Sequence, residues 1–118
     1  MKFLNLVILV VFALFFSSNY AAAEYTGGVE FQNIMVDNGW CYVQVNEDVQ
    51  NTCSYFNYRF RFDATTTQGK LMYSSLLMAK ALKKNVEFWY TASSAVGTDE
   101  NSGCTTTTMA TAYAVAFQ

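Results

Sequence analysis

Histidine and proline are both absent from the 118-residue chain. Without histidine there is no imidazole base for a Ser-His-Asp or Cys-His nucleophile, no His-ligated zinc and no imidazole pH switch. No Gly-rich phosphate loop is present, and no metal-ligand spacing. Charge is sparse as well, at 14% of residues. The adjacent pair Asp99-Glu100 lies in a polar stretch and reads as solvated charge, not as a catalytic dyad. These absences argue against an enzyme and imply no cofactor and no metal.

What the chain has in excess is apolar residues, unevenly spread. Residues 1–23 hold 18 of them, and the remaining 95 residues hold 44, an ordinary globular share. Met1-Lys2 is a short positive start, Phe3 to Phe16 is an apolar run broken only by Asn5, and Ala21-Ala22-Ala23 offers a small-residue cleavage site. This is the pattern of a secretory signal peptide over 1–23, with Glu24 as the mature N-terminus. The run is too short to span a bilayer, which takes about 20 residues. The expectation is one domain over 24–118, secreted or periplasmic, with no membrane insertion after cleavage.

That domain carries nine carboxylates against six cations, a net charge of −3. It has no bulk attraction for nucleic acid. Export implies an oxidising compartment, so one disulfide is expected among Cys41, Cys53 and Cys104. Cys41–Cys53 would staple a hairpin, and Cys53–Cys104 would tie the third strand to the last. Spacing alone leaves the pairing open.

Periodicity gives the order of elements. Val29 and Phe31 share one face and Ile34 and Val36 the other, which predicts one bent strand with a bulge near Gln32-Asn33. Asp37-Asn38-Gly39 is a turn signal. Trp40 to Asn46 reads as a second strand, with Cys41, Val43 and Val45 on one face and Trp40, Tyr42 and Gln44 on the other. Ser54 to Phe62 reads as a third, with Phe56, Tyr58, Phe60 and Phe62 aligned.

A helix follows from about Gln68 to Lys84, with Thr65, Thr66 and Thr67 as candidate N-caps. A helical wheel places Leu71, Met72, Ser75, Met78, Ala79 and Leu82 on the core face, with Leu76 at its margin. Tyr73 and Leu77 fall outside that stripe and are candidates for an oligomer interface. Val86 to Thr91 is the fourth strand. Thr105 to Phe117 is the last, with Ala110, Ala112, Ala114 and Ala116 on one face.

The predicted fold class is mainly β, in the order β-β-β-α-β-β. Five strands with a helix between the third and fourth is the order of an OB-fold-like five-stranded barrel. Such scaffolds carry function on their rims and loops. Aromatic rings beside polar groups suit sugars, because sugar C–H faces stack on rings while hydroxyls need donors and acceptors. Trp40, Tyr42, Trp89 and Tyr90 are the candidate ligand-binding residues, with Asp37, Asn38, Glu87 and the 98–101 loop nearby. Core or cross-strand packing competes with that role at each ring.

The chain also resembles a known family. Ala23-Glu24-Tyr25-Thr26-Gly27, Trp40-Cys41-Tyr42-Val43, Cys53, the helix Gly69-Lys70-Leu71-Met72-Tyr73-Ser74-Ser75-Leu76-Leu77-Met78-Ala79-Lys80 and the strand Val86-Glu87-Phe88-Trp89-Tyr90 carry the likeness. In order and spacing they resemble the binding subunits of subtilase-cytotoxin and pertussis-like toxins. They are similar too to short exported bacterial proteins of unknown function sharing a Gly-Lys-x-x-Tyr-x-x-Leu-Leu-x-Ala-Lys helix. The toxin resemblance implies an OB-fold, a homo-pentameric ring, a cell-surface glycan as ligand and a toxic catalytic subunit as partner. The segment after Gly27 is shorter than in the toxins, so the stretch carrying their sugar contacts has no clear counterpart. Their C-terminal cysteine pair is reduced to Cys104. The resemblance to the shorter set favours a Cys53–Cys104 bridge. The alternative function is a small periplasmic or secreted structural or inhibitory protein that acts through protein contacts alone, with no glycan ligand.

Overall fold

The structure, a computed structural model, describes residues 24–117. The expected signal peptide lies outside the described residues. The elements are β1 (Glu24–Val29), β2 (Phe31–Asp37), β3 (Trp40–Val45), β4 (Phe60–Asp63), α1 (Thr67–Ala81), β5 (Val86–Thr91) and β6 (Ala110–Phe117), with a short 3-10 turn at Glu100–Ser102.

They form one six-stranded mixed sheet in the order β1-β5-β6-β4-β3-β2. Every pairing is antiparallel except β4 with β6. The class is therefore mainly β with one long helix, as expected. The strand count is not: the predicted first strand is two strands, separated only by Glu30 and lying at opposite ends of the sheet order. The ladder is not closed into a barrel. The slip expected near Gln32-Asn33 is present as a register shift between Phe31 and Ile34.

The β2–β3 turn follows its sequence signal. Asn38 and Gly39 both have positive φ, at 50° and 83°, the requirement of a two-residue hairpin turn of the I′ kind. On β3 the alternation holds: Cys41, Val43 and Val45 face the core, and Trp40 and Tyr42 face the other way.

The expected third strand is the largest departure. Only Phe60–Asp63 is strand. Tyr55 and Tyr58 exchange backbone hydrogen bonds across Phe56-Asn57, both 2.9 Å, and those two central residues have φ of 47° and 72°. Phe56 is thus carried to the tip of a tight turn and exposed, while Phe60 and Phe62 are buried as expected. Asn57 tolerates this conformation; Phe56 conceals the turn because a bulky residue rarely adopts it.

The core face of α1 is also rotated from expectation. Thr66 caps the helix, its hydroxyl accepting from the Gly69 N–H at 2.9 Å. Gly69, Met72, Leu76 and Ala79 are buried, with Tyr73 packed against the same core. Leu71, Met78 and Leu82 are exposed. The rotation follows from Gly69, which lets the first turn lie directly against the Asp63-Ala64 backbone. A wheel that weighs side-chain apolarity cannot see a contact made by a missing side chain.

β6 begins at Ala110, later than expected, because residues 105–108 fold into a turn closed by hydrogen bonds of their own threonines. Its register against β5 shifts between Trp89 and Tyr90. The shift breaks the predicted alanine row. Ala110 and Ala112 face the core, then Val115 and Phe117 take over that side. Phe60 stacks on Phe88 with centroids 4.7 Å apart and meets Tyr90 edge-on at 5.0 Å. A second, smaller cluster contains Tyr42, Cys53, Cys104 and Met109.

Candidate binding surfaces

The predicted ligand-binding residues divide into three settings. Tyr90 faces inward and is 1% exposed, and its hydroxyl donates to the Gln50 carbonyl. Its ring is core and its polar tip is used, so it leaves the candidate set. Tyr42 is 5% exposed, packed edge-on to Tyr58 within the second cluster, and is likewise enclosed.

Trp40 stays partly exposed. The Arg61 guanidinium lies over its ring, 4.2 Å from the centroid. Cross-strand register explains the pair, since Trp40 faces Asp63 and Tyr42 faces Arg61 on the face of β3 and β4 opposite the main core. Cation–π attraction holds the indole face against Arg61 and leaves less of it open for stacking.

Trp89 is the third case, and it has a partner that sequence reasoning missed. Tyr25 lies directly opposite it in the β1–β5 ladder. The two rings sit 4.9 Å apart, tilted by 33°. The Tyr25 hydroxyl donates to Glu87 Oε1 at 2.7 Å. That hydrogen bond first, then partial desolvation and the negative charge of Glu87, hold the Tyr25 phenol above its ordinary pKa. Tyr25 is half-exposed, while Trp89 and Glu87 are partly exposed. An aromatic platform and a carboxylate acceptor thus share one outward face. Tyr25 carried a signal, an aromatic next to the expected cleavage site, but its register against β5 could not be read from spacing.

The polar neighbours proposed from sequence are mostly structural. Asp99 caps the 3-10 turn, exchanging hydrogen bonds with Ser102. Asn38 serves the hairpin turn. Cys53 and Cys104 form the disulfide, with Cα atoms 5.8 Å apart, which settles the open pairing. It ties loop to loop and not strand to strand. Cys41 is free, buried and not exposed to solvent, and burial pushes its thiol up to about 12. Of the proposed interface residues, Leu77 is exposed and Tyr73 packs on the core.

A cavity of about 480 Å³ was not anticipated; it is lined by Asp48, Val49, Asn51, Thr52, Arg59 and Thr98. Among the described residues no cluster of His, Cys, Asp or Glu could hold a metal ion, and no helix is long and apolar enough to cross a membrane. No family model, curated protein or solved structure matches the chain.

Proposed function

We propose that this chain is an exported, non-enzymatic binding module that takes a glycan on the outer face of β1 and β5. One observation carries the reading: Tyr25 and Trp89 form an outward aromatic platform with Glu87 beside it. Ring faces attract sugar C–H surfaces, and the carboxylate accepts from hydroxyls. The Cys53–Cys104 bridge agrees with an oxidising compartment, secreted or periplasmic.

The finer fold reading is an OB-like barrel. β1 and β2 are then two halves of one bent strand, and Glu30 joins the two ends of the sheet order. Parallel pairing of β4 with β6 fits that topology.

The test is a glycan array probed with the mature oxidised protein, followed by Trp89→Ala and Tyr25→Ala. The expected result is a discrete glycan set lost in both variants while the folded spectrum is kept. An array with no retained glycan overturns the reading.

The oligomeric side of this reading, assembly into a ring, is supported by the exposed side chains of α1; a stable monomer would instead favour a protein that acts through protein contacts alone. Leu71, Met78 and Leu82 are each more than half exposed and recur at helical spacing on one flank, with Leu77 on the other. The occupant would be a second copy of this chain, as in a ring. A toxic catalytic subunit as further partner rests on the family resemblance alone.

A further inference from the structure

The cavity beside Arg59 has a construction that its packing role does not require. The Arg59 side chain is 16% exposed, so its charge is largely withdrawn from water. A guanidinium in that position needs acceptors for a fork of five N–H groups. One arm donates to Thr52 Oγ1 at 3.2 Å. The other meets the carboxylate of Asp48, whose side chain is 99% exposed. A largely buried cation is therefore paired with an anion that reaches it from open solvent. Such an exposed carboxylate contributes little and is easily displaced.

The rest of the wall is fixed. The Thr52 hydroxyl also donates to the Val49 carbonyl at 2.6 Å. Tyr90 anchors the loop from the core through the Gln50 carbonyl. The Asn51 carbonyl accepts from the Ser93 N–H at 2.8 Å, and the disulfide follows at Cys53. On the opposite wall the Thr98 carbonyl accepts from the Ser54 N–H at 2.8 Å. A rigid, hydroxyl- and amide-rich pocket with one guanidinium at its edge is preorganised for a small polar acid.

We propose that this cavity binds a small hydroxylated carboxylate, with Arg59 as the anchor and Asp48 occupying the place of the ligand's carboxylate when the site is empty. Asp48 is then a built-in competitor. The incoming carboxylate pairs with the guanidinium in the fork geometry. The Asn51 side-chain amide N–H donates to Glu24 Oε1 at 2.9 Å and the Thr52 O–H to the Val49 carbonyl, so the Asn51 side-chain carbonyl oxygen and the Thr52 oxygen accept from the ligand's hydroxyls, with Thr98 beside them. The site is distinct from the Tyr25–Trp89 platform, although its Asn51 amide donates to Glu24, the neighbour of Tyr25 on β1.

The test is an amide NMR titration of the mature oxidised protein with D-glucuronate, using D-glucose as the neutral counterpart. The expected result is saturable shifts at Asn51, Thr52 and Thr98 with the acid and none with the sugar. Asp48→Ala removes the competitor, and its glucuronate dissociation constant is expected to fall about five-fold. Arg59→Met abolishes the response. Arg59 is largely buried and its loss also bears on folding, so Asp48→Ala on the exposed loop decides on its own. Absence of shifts in both wild type and Asp48→Ala, equal shifts with glucose, or weaker binding in Asp48→Ala overturns the proposal.

Discussion

Gly69, in the first turn of α1, lies so close to Asp63 at the end of β4 that a Cβ on it would sit 1.8 Å from the Asp63 carbonyl oxygen. The obstruction is backbone, which cannot swing aside. Helix propensity alone says that Gly69→Ala should stabilise α1 by about 1 kcal/mol. The contact says the opposite, because overpacking against fixed atoms costs about 1–3 kcal/mol or more. The expected outcome of urea denaturation is a clear loss of stability for Gly69→Ala. A gain would mean that α1 can lift off the strand end without cost.

The other end of α1 predicts a change of the opposite sign. Lys83 holds φ at 54° while the Lys84 N–H closes onto the Ala79 carbonyl at 2.9 Å, the wrap that commonly ends helices on glycine. A lysine there carries the Cβ penalty of the left-handed region. Lys83→Gly is expected to stabilise by about 0.5–1 kcal/mol. In a domain of this size that raises the melting temperature by several degrees, on the order of 4–8 °C per kcal/mol. A calorimetric scan checks it.

These two ends show where the fold was legible and where it was not. Local signals read well: the Asn38-Gly39 turn, the Thr66 cap, the β3 alternation and the β5 limits all come from chemistry within a few residues. What failed depended on distant partners. The face of α1 was set by the Asp63 carbonyl, and the second half of β6 was re-aimed by a bulge against β5. At Phe56-Asn57 a strand-like alternation hid a turn. The candidate surface was half legible for the same reason. Trp89 could be nominated from its alternation, but its pairing with Tyr25 is a product of the strand register. Tyr90, its neighbour, was nominated by the same aromatic content and faces the core.

The cysteines give a chemical prediction with a defined pH window. Burial raises the Cys41 thiol from 9.0 to about 12, so the folded state disfavours the thiolate. Below pH 9 this group contributes its full stabilising effect; as pH rises from 9 toward 12 the unfolded chain ionises first and stability falls. Iodoacetamide at neutral pH should leave native Cys41 unmodified and label it on denaturation. Rapid native labelling would show that the thiol reaches solvent.

The disulfide encloses a sequence separation of 51 residues. Chain-entropy arguments give about 4 kcal/mol for a loop of that length. Cys53→Ala with Cys104→Ala should therefore cost about 2–4 kcal/mol in denaturant, a large share of the stability of so small a domain. An unchanged midpoint would mean that the reduced chain is held by other contacts between the two loops.

The last prediction separates the two readings of α1. Light scattering on a sizing column gives the native mass of the mature protein. If the Leu71, Met78 and Leu82 flank is an interface, a discrete oligomer is expected, and Met78→Lys should dissociate it while leaving the monomer folded, since Met78 is 56% exposed. The physical reason is that a charge placed in a desolvated apolar contact must be stripped of water, whereas on a free surface it costs almost nothing. Leu77→Lys serves as a control on the opposite flank. Loss of the oligomer with both variants points to contacts around the whole helix, as a ring lined by α1 would have. A monomer at all concentrations leaves these side chains as ordinary surface and removes the ring from consideration, while the Tyr25–Trp89 platform is untouched by that outcome.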